Sequence, residues 1–165
     1  MISEKLQKAI NDQINKEFYS SYLYLAMAAH FDAGALPGFA KWMKVQAAEE
    51  WGHGMKFYEY LYEVGGKVEL GAIPLPPAKF GTPKEIFETV LEHEKSVTAS
   101  INAIYDLAKK ENDPKTELML HWFINEQVEE EKNDRDIIDQ LTMAGNNSFG
   151  IMFLDQHVLG SRKGD

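Results

Sequence analysis

The chain contains no cysteine. That excludes disulfide staples, thiolate zinc sites, thiolate-held iron–sulfur clusters and a cysteine nucleophile. It has no uninterrupted apolar run long enough to span a bilayer. Its N-terminus, polar and acidic from Ser3 and Glu4, does not read as a secretion signal. A cytoplasmic protein with no membrane partner is expected. Positive charge is also in short supply. Against 26 Asp and Glu there are 17 Lys and Arg, for a formal charge of -9. That argues against a nucleic-acid partner and suits the attraction of cations. Proline is scarce, and Pro74, Pro76 and Pro77 crowd into a single link. What is present is 165 residues, 44% of them hydrophobic, enough for one domain with its own core.

The apolar residues recur at a period near 3.6, which predicts an all-α chain. A first helix is expected over about 3–31, with the stripe Leu6, Ile10, Ile14, Glu17, Ser21, Tyr24, Ala28. Ser3 would cap it and Gly34 would stop it. A second, over about 37–64, carries Phe39, Met43, Gln46, Glu50, His53, Phe57, Tyr60 and Val64 and ends at Gly65 and Gly66. The third, over about 83–110, opens with the sharpest signal in the chain: Thr82 as cap, Pro83 at the first helical position and Glu85 three residues after the cap. Its stripe is Phe87, Val90, Glu94, Val97, Ile101, Ile104, Ala108. The fourth, over about 114–144, follows the cap Asp113 and carries Leu120, Phe123, Gln127, Glu130, Asp134, Ile137 and Leu141. A short fifth helix is expected over 148–159.

Short links make the first and second helices, and the third and fourth, antiparallel hairpins. The link over 65–81 is longer. At about 3.3 Å per residue it can cover the roughly 40 Å length of such helices. It therefore reads as a crossover, giving an up-down-down-up four-helix bundle.

Among the polar residues on these stripes, six stand out: Glu17, Glu50, His53, Glu94, Gln127 and Glu130. Every long helix supplies at least one. Counted from the turns, all six fall at mid-height of one bundle. Buried carboxylates are costly unless cations balance them, so the pattern points to a di-metal site. Glu50 and His53 are an i, i+3 pair on one helix face. Di-iron bundles use a Glu from each of two helices and Glu-x-x-His from each of the other two. This chain has Glu17 and Glu94 as the single carboxylates and Glu-x-x-His once. Its fourth helix offers Gln127-x-x-Glu130 instead. One ion would take Glu17, Glu50 and His53. The other would take Glu94, Glu130 and a share of Glu50, with oxygen ligands only. Gln127 could ligate or only hydrogen-bond to a ligand. Iron suits a mixed carboxylate–imidazole site of this kind.

Four stretches, NKEFYSSYLY (15–24), AEEWGHGM (48–55), EHEK (92–95) and WFINEQVEEEKND (122–134), make the chain resemble the non-haem bacterial and archaeal ferritins over nearly its whole length. The resemblance implies a ferroxidase centre at Glu17, Glu50, His53, Glu94 and Glu130, with Gln127 beside the second iron. It implies a third, looser iron held by Glu49, Glu126, Glu129 and Glu130. It also implies a hydrogen-bonded Tyr24 that can supply an electron, with Trp122 nearby. Fe(II) and dioxygen would be the substrates. The ferric product would mineralise inside a 24-subunit shell, which the apolar fifth segment, Phe149 to Leu159, would help close. Glu49, Glu126 and Glu129 are also compatible with a solvated face, and Tyr24 with ordinary core. Haem is not expected, because Trp51 and Gly52 stand where the bacterioferritin subclass places its Met ligand. The rival reading is a rubrerythrin-type di-iron oxidase or peroxidase, whose usual Cys-x-x-Cys domain this chain lacks.

Overall fold

The computed structural model describes residues 2–164. Four long helices, α1 (Glu4–Ala33), α2 (Pro37–Glu63), α3 (Pro83–Glu111) and α4 (Pro114–Ala144), are followed by a short α5 (Ser148–His157) and a 3-10 turn (Leu159–Ser161). Among the described residues there are no strands.

The start signals act as their chemistry dictates. Ser3 Oγ accepts from the Leu6 amide at 3.2 Å. Thr82 and Glu85 form a reciprocal capping box, with the Thr82 amide donating to Glu85 Oε2 at 2.7 Å. Asp113 accepts from the amides of Lys115 and Thr116. The stops are less uniform. Gly65 and Gly145 take positive φ, 75° and 56°. At the end of α1, however, Gly34 has φ -87°, and Ala35 carries the left-handed conformation at φ 58°. The Leu36 amide then closes on Phe31 O at 3.0 Å. The helix stops at Gly34 as expected, and the left-handed conformation falls one residue later, in a turn that brings α2 straight back onto α1.

Helix directions follow from what packs with what. One apolar cluster joins the late part of α1 (Tyr24, Met27, Phe31), the early parts of α2 (Phe39, Met43) and α3 (Phe87, Val90), and the late part of α4 (Ile137, Leu141). The other joins Leu6 and Ile10 of α1, Phe57 and Leu61 of α2, Ile101 and Ile104 of α3, and Leu120 and Phe123 of α4. Helices α1 and α4 therefore run one way and α2 and α3 the other: up, down, down, up.

The crossover climbs beside α1 on a polar ladder. The Lys67 amide donates to Gln7 Oε1, the Glu69 amide to Asn11 Oδ1, and Asn15 Nδ2 to Ala72 O, each at 2.8 Å. Gln7, Asn11 and Asn15 lie one helical turn apart on one face. This explains how an extended, proline-rich link satisfies part of its backbone without a strand partner.

Helix α5 is seated on the start of α2. The N-cap position of α2, Leu36, has no capping side chain. Asp155 supplies one from α5, its Oδ1 accepting from the Phe39 amide at 2.9 Å. A carboxylate there also meets the positive end of the helix dipole. Gly38 permits the approach, since a Cβ would lie 1.7 Å from Asp155 O. The other face of α5 is bare: Phe149, Met152 and Phe153 are more than half exposed. No helix among the described residues is long and apolar enough to cross a membrane.

Candidate metal centre

Between the two apolar clusters lies a polar layer. Glu17, Glu50, His53, Glu94, Gln127 and Glu130 all belong to it and are at most 6% exposed. The reason is local. Each occupies a position on its helix's inward stripe where the period would place an aliphatic residue, so helix packing forces its side chain inward.

Four carboxyls thus share one dry layer, and their acidities record it. Burial, then the neighbouring Glu50, pushes Glu17 well above the usual carboxylate range. Burial, then Glu94 and Glu130, does the same to Glu50. Burial raises Glu94, partly offset by hydrogen bonds from Tyr24 and Gln127. Burial and Glu94 push Glu130 up to about 7. Such a cluster holds protons when no other cation is bound and releases them to a metal ion.

Ligand atoms of Glu17, Glu50 and His53 all lie within 4.8 Å of one another, as do those of His53, Glu126 and Glu130. His53 Nδ1 stands 3.4 Å from Glu50 Oε2, and its Nε2 3.9 Å from Glu126 Oε1. Glu94 joins neither group. Its Oε1 accepts a short hydrogen bond from the Tyr24 hydroxyl and its Oε2 one from Gln127 Nε2 at 3.1 Å. Gln127 Nε2 also faces Glu94 O and Thr98 Oγ1. In this arrangement Gln127 orients Glu94 with its amide nitrogen. Trp122 lies edge-on to His53, ring centres 5.4 Å apart, under the Lys56 ammonium.

The set expected to hold a third ion is only half assembled. Glu126 and Glu130 come together with His53. Glu129 is exposed and enters neither group, because it lies about 100° round the helix from Glu130. Glu49 also stays outside, its Oε2 bonded to the Arg162 guanidinium. A cleft of about 500 Å³ reaches Glu49, His53, Trp122 and Glu126 from the surface, and Gly164 of the C-terminal tail lines its wall.

Sequence reasoning missed four contributors. Gln13 donates to Glu17 Oε1 at 2.7 Å, and Gln46 to Glu50 Oε1 at 2.9 Å. Each glutamine sits four residues before its glutamate, a repeated Gln-x-x-x-Glu spacing visible in the chain. Gln46 Nε2 also reaches Glu130 Oε2 at 3.0 Å, tying α2 to α4 across the layer. Asp134 stands on the α4 stripe one turn past Glu130 and is 1% exposed. Neither of its carboxylate oxygens has a hydrogen-bond partner. Burial, then Glu94 and Glu130, lifts it to about 8. The fourth, Arg162, carried no helical signal at all. His93, Ser20-bonded at 2.7 Å and lowered by burial to about 4, stays a neutral packing residue.

The donor set fits a pair of divalent cations. With the carboxyls ionised, Glu17 Oε2 is buried without a partner. A proton shared with Glu50, or a cation, would supply one. Carboxylates with one imidazole suit iron, manganese or zinc better than softer metals.

Fold and layer together define a four-helix bundle with a carboxylate–imidazole cluster inside a single subunit. The model of the ferritin-like domain matches residues 7–144, and the chain belongs to that family. It is 44% identical over 162 residues to the bacterial non-heme ferritin of Bacteroides fragilis, covering 98% of this chain and all of that one. It is 39% identical to the one from Staphylococcus saprophyticus, over 100% of this chain and 98% of that one. Among solved structures, an open-pore ferritin from the hyperthermophilic archaeon Archaeoglobus fulgidus superposes with a TM-score of 0.97 at 44% identity over 99% of both chains. A form of the Archaeoglobus protein engineered to be closed gives 0.98 at 43%, over the full length of both.

Proposed function

We propose that the protein stores iron, oxidising Fe(II) with dioxygen at the buried layer and keeping the ferric product as mineral inside a 24-subunit shell in the cytoplasm. The observation that carries this reading is the convergence of Glu17, Glu50, His53, Glu94 and Glu130 from four helices into one dry layer. Such a layer is unfavourable for a protein that binds no cation. The names of its relatives and the apolar, uncovered face of α5 support the storage half.

In this reading iron is the substrate, and the chain's own groups do the following. Glu17, Glu50 and His53 receive one ferrous ion; Glu94 and Glu130 receive the other. Glu50 faces both, since its acidity responds to Glu94 and Glu130 while its Oε2 lies beside His53. Two ions held about 3.5–4 Å apart can deliver electrons to a single dioxygen molecule. The carboxyls shed their protons as the metal arrives and balance the charge that oxidation adds. Tyr24, hydrogen-bonded to Glu94, stands where it can pass on an electron. Glu126, which lines the cleft, and the buried Glu130 beside it take ions leaving or waiting beside the pair. Glu49 and Glu129 stand outside that group and would turn inward to complete the outer position.

The test is sedimentation of protein exposed to Fe(II) and air, read for particle mass and iron content. A hollow particle of about 24 chains that gains hundreds of irons is the expected result. Oxidation by a small oligomer that retains only two or three irons per chain would favour a di-iron oxidase without storage.

A further inference from the structure

Among the described residues, Arg162 is bonded through its guanidinium to Glu49, a carboxylate of the expected third-ion set. It lies beyond the last helical turn, on the tail that α5 leads back along α2. Its Nη2 donates a short hydrogen bond to Glu49 Oε2, and its guanidinium covers the Trp42 ring at 4.3 Å. Both partners of the ion pair are about four-fifths buried, at 18% and 20% exposed. Its Nη1 is buried and has no hydrogen-bond partner. Its charge also reaches inward, lowering the pKa of Glu130 and of Asp134 against the rise that burial causes. Gly164, two residues on, lines the cleft that leads to His53 and Glu126.

A planar guanidinium stacked on an indole and bonded to a carboxylate is a seated group, held by ring contact and charge together. It also has the charge sign of the ion expected beside Glu126 and Glu130. A cation bound at Glu49 Oε2 would meet the Arg162 guanidinium at close range, and in this half-dry site their repulsion weakens the hold of each.

We propose that Arg162 is a resident cation of the outer position, so that the C-terminal tail and a third divalent ion compete for Glu49. This rests on the three-ion reading above. When the first two positions fill, the tail still holds Glu49. A third ion at Glu126 and Glu130 acquires Glu49 only as Arg162 leaves Trp42, and the tail then swings off the cleft wall. Release of that ion lets the arginine return, so the tail opposes retention of iron at the position nearest the cleft.

Zn(II) titrated into metal-free protein probes this without redox chemistry. By calorimetry, Arg162→Gln should bind the third equivalent per chain about five- to tenfold more tightly than the parent, as expected for removing a partly buried ion pair, with the first two equivalents unchanged. Since the chain has no cysteine, a nitroxide on Lys163→Cys reports the tail alone. Its spectrum should sharpen as the third equivalent binds, and should be sharp from the outset when Arg162→Gln is added. If Glu126→Gln weakens the third equivalent while Arg162→Gln does not alter it and the nitroxide stays slow, the third position stands and the competition is refuted. If no variant takes a third equivalent and Glu126→Gln leaves the isotherm unchanged, the three-ion reading fails and the proposal falls with it.

Discussion

The two sides of the polar layer meet the same difficulty, buried negative charge, in different ways. On the α1–α2 side, Glu17 and Glu50 have one imidazole, and glutamines reach only one oxygen of each. Glu17 Oε2 is left without a partner. On the α3–α4 side, neutral donors already occupy both oxygens of Glu94, and Gln46 holds one oxygen of Glu130. Arg162 adds positive charge behind them. The first side therefore gains more from a metal ion than the second. An ion at the second side must displace hydrogen bonds that stabilise the metal-free protein. The difference teaches that affinity here depends on what the carboxylates do when empty as much as on the ligand count.

Glu50 faces both sides, so its loss should do the most damage. Glu50→Ala is expected to slow fast iron oxidation by more than about 100-fold, beyond the usual cost of losing a group that only supports a metal ligand. Helical circular dichroism should be unchanged, and stopped-flow absorbance of the ferric product reads the rate. Fast oxidation at the parent rate would reject the whole centre.

A change confined to one side comes next. His53→Gln should weaken the first Zn(II) equivalent by roughly 10- to 100-fold and the second far less. Equal weakening of both equivalents in a calorimetric titration would erase the proposed asymmetry.

Removing metal altogether exposes the charge cost through pH. Glu130 titrates near 7 and Asp134 near 8 in the folded chain, against usual values of 4.5 and 3.8. The folded state therefore holds protons that the unfolded state has lost. The stability these two carboxyls contribute to the metal-free protein is whole below about pH 4 and is lost as pH rises toward 8. Glu130 alone accounts for a fall of up to about 3 kcal/mol. Urea unfolding at pH 5 and pH 8 measures the slope, which bound Zn(II) should flatten. Asp134→Asn should raise stability at pH 8 by about 1–3 kcal/mol and change little at pH 4. An equal effect at both pH values would place its origin in packing rather than charge.

The smallest effect belongs to the outer edge of the second side. Glu129 is exposed and outside both ligand groups. Glu129→Ala should leave the first oxidation unchanged and alter later turnovers modestly. An unchanged multi-turnover time course would remove Glu129 from the outer position.

Much of this was legible in the chain. A residue's place on a helical face follows from its spacing to near neighbours. Glu17, Glu50, Glu94 and Glu130 could therefore be assigned an inward direction and a common height before any packing was known. Asp134 obeyed the same period and was passed over because it belongs to no ligand pattern. Gln13 and Gln46 were readable in principle, four residues before Glu17 and Glu50, but a glutamine on a stripe carries no charge to explain. The exposure of Glu129 was concealed by the resemblance, which groups residues by role and not by helical angle.

The sequence by itself determined the helices, their inward faces and the level at which the acids meet, because these follow from short-range periodicity, caps and link lengths. Tertiary structure alone decided that Asp155 caps α2, that Gln46 ties Glu50 to Glu130, and that Arg162 takes Glu49. Each joins residues more than 80 positions apart in sequence or distant helices at one contact. Such contacts are set by how helices cross and where a tail comes to rest, and no local repeat in the chain encodes either.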